Sequence, residues 1–223
     1  MILARPRRRV LPLFAALAAA SIPDDAPAQP RPLTIVALGT SLTARGGWPL
    51  PLEAALERCL HRPVAVRVVA RSGQDSTWGV SALDQVAAQR PDVVLVEFAV
   101  NDAALHHWIG FERSRRNMQA ILDRLADLNP RPRVFVMAMN PVSGLRGALR
   151  PSLDRYAAMH RDVAQAAGAG FIDHGPAWRA LAPDALARAI PDGTHPDPAV
   201  AARIMVPALV RTIAGEACAG PAP

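Results

Sequence analysis

Asp192 and His195 stand three residues apart in the stretch IPDGTHPDP, near the end of a 223-residue chain. At that spacing, about one turn of chain, the carboxylate can reach the imidazole Nδ1–H. The bond would fix the ring's tautomer and stabilise the imidazolium formed when the other nitrogen takes a proton. Nε2 is then free to act as a base, and a serine hydroxyl, a weak nucleophile at neutral pH, is the group that needs one. Ser41, in LGTSLTARGGW (residues 38–48), sits where an apolar run stops and a helix-like stretch begins. By itself it reads equally as a helix cap, a phosphate-cradling turn or a nucleophile. Acyl transfer further requires donors aimed at the developing oxyanion, each worth on the order of 2.7–4 kcal/mol. The backbone N–H groups of Ser41 and Gly73 and the side-chain amide of Asn101 could supply them. A glycine at 73, within RSGQDS, permits a tight turn and a close approach to a ligand. Taken singly, Gly73, Asn101-Asp102 and PDGTHP are each explained as turn chemistry. Their joint placement must therefore come from the fold.

Five runs read as strands: LTIVAL (33–38), VAVRVVA (64–70), DVVLVEFAV (92–100), RVFVMAM (133–139) and GFID (170–173). Several are almost continuously apolar, as in strands buried on both faces. Helical stretches are expected at about 49–60, 78–89, 112–128, 153–167 and 197–214, the last opened by Asp197 as N-cap and Pro198 at N1. This alternation predicts a parallel sheet with helices on both faces, in which ligands bind beyond the carboxyl ends of the strands. Ser41, Gly73 and Asn101 each follow such an end, and so do Asn140-Pro141 after the fourth strand. After the fifth strand the chain runs through one short segment to Asp192 and His195.

The blocks ALGTSL, RSGQDS, EFAVND and PDGTHP, in this order over nearly all of the chain after residue 28, resemble those of the SGNH (GDSL-type) hydrolases. The resemblance implies a single three-layer α/β/α, flavodoxin-like domain with a five-stranded parallel sheet and no metal or cofactor. It implies Ser41 as nucleophile, His195 as base and Asp192 as its orienting acid, with Ser41, Gly73 and Asn101 forming the oxyanion hole. The implied activity is a serine esterase working through an acyl-enzyme on short-chain or O-acetyl esters, carbohydrate esters among them. Lysophospholipase or thioesterase activity in the same family, or a non-catalytic envelope module that binds glycan, are the alternatives. Two positions depart from the family pattern: Thr40 stands where an aspartate is usual, and Ala99 where a glycine is usual. The same order of Ser, Asp and His occurs in α/β-hydrolases, but Thr43 stands where their Gly-x-Ser-x-Gly elbow needs its second glycine.

The first 28 residues read as a secretory signal. Arg5, Arg7, Arg8 and Arg9 precede the apolar run VLPLFAALAAASI, too short to span a bilayer, and Ala26-Pro27-Ala28 offers a cleavage site before Gln29. The expected product is one domain over residues 29–223, periplasmic or secreted, without stable membrane insertion. All 25 basic residues are arginine, and the formal charge is +6. The arginines are scattered among acids rather than clustered on one block, which argues against a nucleic-acid partner and for a small-molecule or glycan ester as ligand. The complete absence of lysine excludes a P-loop. Cys59 and Cys218, the only cysteines, could pair in an oxidising compartment or remain free thiols, and no spaced histidine pair joins them into a zinc site. His106 and His107 are expected on a surface or rim, and Asp173 is a second-choice acid with no histidine at the Asp192–His195 spacing. Trp48, Trp78, Trp108 and Trp178 all fall shortly after strand ends, where amphipathic rings suit sugars or acyl chains, although at least one is expected in the core.

Overall fold

A computed structural model describes residues 31–215 and Cys218. The expected signal segment, Gln29 and the Pro-rich tail lie outside the described residues. The strands are β1 (Leu33–Gly39), β2 (Val64–Ala70), β3 (Val93–Glu97), β4 (Arg133–Ala138) and β5 (Gly170–Asp173). Interspersed helices are α1 (Ser41–Ala44), α2 (Pro49–Leu60), α3 (Ser76–Ser81), α4 (Leu83–Ala88), α5 (Ala99–Asp102), α6 (Phe111–Ala126), α7 (Gly144–Ala148), α8 (Leu153–Ala166), α9 (Gly175–Arg179), α10 (Pro183–Ala189) and α11 (Pro198–Ala214). The five strands form one parallel sheet in the order β2-β1-β3-β4-β5.

The apolar runs of β1 and β3 divide between two cores because successive side chains leave a strand on opposite faces. Ile35, Ala37, Val93 and Leu95 face one way and pack with Leu52 and Leu56 of α2 and Met205 and Leu209 of α11. Val36, Leu38, Val94 and Val96 face the other way, against Val86 of α4, Met118, Ile121 and Leu125 of α6, and Met159 and Val163 of α8. Burying one such branched side chain contributes about 1.5–3 kcal/mol, and these central strands have no solvated face to relieve them of it. The edges differ. Arg67 and Val68 of β2 are exposed, and β5 is only four residues long.

Two expected elements end elsewhere. The third strand stops at Glu97, and residues 99–102 wind into the helical turn α5 instead of continuing to Val100. The expected 78–89 helix begins at Ser76, where the Asp75 side chain accepts from Thr77 N at 2.8 Å, and it is interrupted at Ala82. The last helix starts as its capping residues require: Asp197 accepts from Ala199 N and Val200 N, with Pro198 at the first position.

Glu97 closes the bend between β1 and α1. Its carboxyl accepts from Thr40 N at 2.6 Å, from Thr40 Oγ1 at 3.0 Å and from Thr43 Oγ1 at 2.8 Å. Gly39 is required there, since a Cβ would sit 2.3 Å from Glu97 Oε1. Burial, assisted by the charge of Asp102, pushes the Glu97 carboxyl up to about 7, against the pull of these donors. Cys59 on α2 is disulfide-bonded to Cys218, across 159 residues and with Cα atoms 5.6 Å apart. The bond ties the chain beyond α11 to the helix against which α11 packs.

Two consequences are measurable. Closing so long a loop stabilises the fold by roughly 2–5 kcal/mol, so C59S is expected to lower Tm by roughly 5–15 °C in a thermal melt. Because the folded protein binds the Glu97 proton more tightly than the unfolded chain, this group's contribution to stability is full below its ordinary pKa of 4.5 and is lost as pH rises through about 7. Urea titrations from pH 5 to 8 should show a decline in unfolding free energy that is smaller in E97Q.

Candidate active site

The strand order reverses between β1 and β3, since β2 lies to one side of β1 while β3, β4 and β5 run off the other. At such a switch point the loops leaving neighbouring strands diverge and open a crevice. Ser41 leaves β1 into this crevice, Asn101 leaves β3, and Gly73 follows β2 beside them.

Ser41 is the first residue of α1 and is nearly buried. The capping role belongs to its neighbour, for Thr40 Oγ1 accepts from Leu42 N at 3.2 Å. The hydroxyl of Ser41 is thereby left for other use. Its Oγ lies 2.8 Å from His195 Nε2, and His195 Nδ1 lies 2.7 Å from Asp192 Oδ2. Asp192 Oδ1 accepts from the backbone N–H groups of His195 at 2.6 Å and Thr194 at 2.9 Å. Against a partial burial that acts in the opposite sense, the bonds from the His195 side chain and from these two N–H groups hold the Asp192 carboxyl well below the usual carboxylate range. It is therefore an anion at neutral pH and can stabilise an imidazolium. The serine, histidine and aspartate expected to act together are brought together.

The three expected oxyanion donors each follow a strand end at this edge of the sheet. Gly73 adopts a φ of +73°, which a side chain would strain, and the space where a Cβ would point is open. The Ser41 N–H belongs to a first helical turn and so lacks an intrahelical partner, and the Gly73 N–H makes no backbone bond among the described residues. One hydrogen of the Asn101 amide goes to Gln74 O at 2.7 Å, leaving the second free. Its neighbour Asp102, fully buried, accepts from Ser76 N at 2.8 Å and from the Ser114 hydroxyl, with His160 Nε2 at 3.6 Å. Despite its burial, the contacts to His160, Ser114 and Ser76 keep the Asp102 carboxyl below its ordinary pKa. The Asn-Asp pair thus staples the segment after Gly73 to the end of β3.

Several groups that sequence reasoning left unassigned have positions that matter. Asn140 Nδ2 donates to Thr194 O at 2.8 Å, and Ser143 N donates to Gly193 O at 2.8 Å, so the segment after β4 anchors the loop that carries Asp192 and His195. The only sequence signal was that Asn140 follows a strand end. Arg45 Nη2 lies 3.2 Å from His195 Nε2, and Arg146 Nε lies 3.5 Å from Asp192 Oδ2. Nothing in their sequence context distinguished them from other surface arginines.

The remaining expectations sort by burial. Trp48 and Trp178 are fully buried core residues, Trp78 packs edge-on against Phe98, and Trp108 is 87% exposed. His107 Nδ1 contacts Asp75 Oδ2 at 3.2 Å and stacks at a tilt on His106. Asp173 Oδ1 accepts from Gly175 N in its own turn and is not part of the Ser41–His195–Asp192 chain. Burial pushes His174, deep behind β5, down to about 4, so it is neutral. Among the described residues no group of three His, Cys, Asp or Glu side chains could hold a metal ion, and no helix is long and apolar enough to cross a membrane.

No curated protein matches the chain by sequence. Solved structures share its fold: an acetylxylan esterase from Geobacillus stearothermophilus superposes with a TM-score of 0.68 at 17% identity, covering 80% of this chain and 92% of that one. A lipase/acylhydrolase from Enterococcus faecalis gives 0.67 at 22% identity, covering 82% and 96%. An α/β hydrolase from the metagenome of Lake Arreo, Spain, gives 0.66 at 20% identity, covering 84% and 96%. Residues 37–203 match the GDSL-like lipase/acylhydrolase family, a span that runs from the strand before Ser41 past His195. The chain belongs to the GDSL-like lipase/acylhydrolase family and is a hydrolase acting on esters.

Proposed function

We propose that this chain is an exported serine esterase that cleaves short-chain or O-acetyl esters, carbohydrate esters among them, through an acyl-enzyme on Ser41. The observation that carries the reading is the unbroken hydrogen-bond chain Ser41 Oγ–His195 Nε2–Asp192, with links of 2.8 and 2.7 Å. Ser41 Oγ attacks the acyl carbon while His195 Nε2 takes its proton, and Asp192 stabilises the resulting imidazolium. The oxyanion is held by Ser41 N–H, Gly73 N–H and Asn101 Nδ2. His195 then gives its proton to the departing alcohol, leaving the acyl group on Ser41. Water then attacks the acyl carbon as His195 takes its proton, and His195 returns that proton to Ser41 Oγ as the acid leaves. No step calls for a metal or cofactor.

Support for export is the arginine-rich, then apolar, N-terminal sequence followed by Ala26-Pro27-Ala28. Support for carbohydrate esters is the fold shared with an acetylxylan esterase, together with Trp108. This exposed ring stands on the segment after Asn101 that His107 ties to Asp75, with a φ of +55° uncommon for a residue other than glycine. A flat amphipathic ring so placed suits a sugar face.

Hydrolysis of p-nitrophenyl acetate by residues 29–223 is the first test. S41A and H195A are expected to lose at least about 10³-fold in kcat, and N101A about 10²–10³-fold with little change in KM. Wild-type-like turnover by S41A would refute the mechanism. Loosening the loop that carries the base should have a smaller effect of the same kind. N140A is expected to lower kcat about tenfold with an unchanged circular dichroism spectrum, because misplacement of a reacting group by a fraction of an ångström is costly.

A further inference from the structure

Nε2 of a neutral imidazole has one lone pair, and two donors converge on it here. Ser41 Oγ lies at 2.8 Å and Arg45 Nη2 at 3.2 Å. The serine contact is the one ester hydrolysis requires. The arginine contact opposes it twice over, since the guanidinium competes for the lone pair and its charge would stand beside the imidazolium once the proton has moved. Arg45 is exposed, four residues after Ser41 at the end of α1, and pairs with no carboxylate among the described residues.

A second guanidinium stands across the imidazole ring from Arg45. Arg146 stands 3.5 Å from Asp192, but that carboxylate already accepts from His195 Nδ1 and from two backbone N–H groups. Arg150, buried close behind Arg146, gives Nε to Val100 O at 2.7 Å and Nη1 to Arg146 O at 2.9 Å, and has no carboxylate partner among the described residues. Arg45 is thus the guanidinium on the Nε2 side of His195, where Ser41 lies, and it has no carboxylate partner among the described residues. Excess positive charge at a mouth favours an anionic ligand, and the planar fork of arginine matches two oxygens of a carboxylate.

We infer that Arg45 recognises a negatively charged group on the substrate, so that the preferred esters carry a carboxylate or a similar oxyanion close to the scissile bond. The inference rests on the serine-esterase reading above and names its substrate class. A bound carboxylate takes the Nη2 donor of Arg45, draws the guanidinium off His195 and leaves Nε2 to Ser41. An uncharged ester of the same shape does not do this.

The test uses two matched pairs of esters on residues 29–223. Mono-p-nitrophenyl succinate against p-nitrophenyl butyrate places the charge on the acyl side, and 4-acetoxybenzoate against its methyl ester places it on the alcohol side. The charged member of at least one pair should be favoured at least tenfold in kcat/KM at low salt, the ratio falling as salt rises. R45M should bring that ratio to within about threefold of unity, and R45K should restore part of it. A ratio below twofold in both pairs with active wild type would overturn the charge preference alone. A preference that R45M leaves unchanged, or equal losses by R45M on charged and neutral esters, would remove Arg45 from this role. Inactivity of folded wild type on all four esters, with no labelling of Ser41 by a fluorophosphonate, would instead overturn the serine-esterase reading.

Discussion

A 2.8 Å hydrogen bond between Ser41 and His195 joins groups 154 residues apart in the chain. Nothing local can hold such a distance. Each end must be fixed to the sheet independently, with errors smaller than the bond can tolerate. At the serine end, Gly39, Thr40 and Thr43 are drawn onto the buried carboxyl of Glu97, so α1 starts at a set height above β1 and β3. At the histidine end, the loop has no regular structure of its own and borrows rigidity from Asn140 and Ser143. The sheet reversal between β1 and β3 supplies the gap, and the two cores make both supports stiff.

This arrangement explains why threonine is accommodated at position 40. An aspartate there would place a second carboxylate within hydrogen-bond range of Glu97, in a pocket where burial already disfavours the charge of the first. Threonine contributes a hydroxyl that donates to Glu97 and accepts from Leu42 N, which closes the bend without adding charge. Glu97, not residue 40, therefore provides the acidic group beneath the serine in this chain. The Asn101-Asp102 pair gives its two side chains different partners, the amide to Gln74 O and the carboxylate to Ser76 N and Ser114. Ser114 and His160 complete the surroundings of Asp102 without reaching solvent.

Much of this is legible in the sequence. Continuous apolar runs located the strands, Asp197-Pro198 located the start of α11, and the positions of Ser41, Gly73 and Asn101 after strand ends placed them on one edge of the sheet. What could not be read depended on pairs distant in sequence. Glu97 reads as part of a strand, and only the approach of Gly39 and Thr40 makes it a clamp. Asn140 reads as a turn residue until Thr194 O arrives beside it. Residues 98–100 have strand-forming composition, yet the bond from Asn101 to Gln74 and the burial of Asp102 require the chain to coil there. Arg45 gains meaning only from the imidazole across the crevice, and no periodicity or composition separates it from its solvent-facing counterparts.

The placement of the proposed base also bears on the order in which the site is assembled. His195 precedes α11 by only three residues, and α11 completes one face of the sheet by packing on α2, a helix made early in the chain. A ribosome that has synthesised the first 180 residues has produced the serine, both backbone donors and Asn101, but neither histidine nor acid. The Ser41–His195 contact forms only when the segment leading into the last long helix returns across the sheet. The Cys59–Cys218 bond fastens that return a few residues further on. On the mechanism proposed above, a product that stops before Asp192 lacks both the proposed base and its acid.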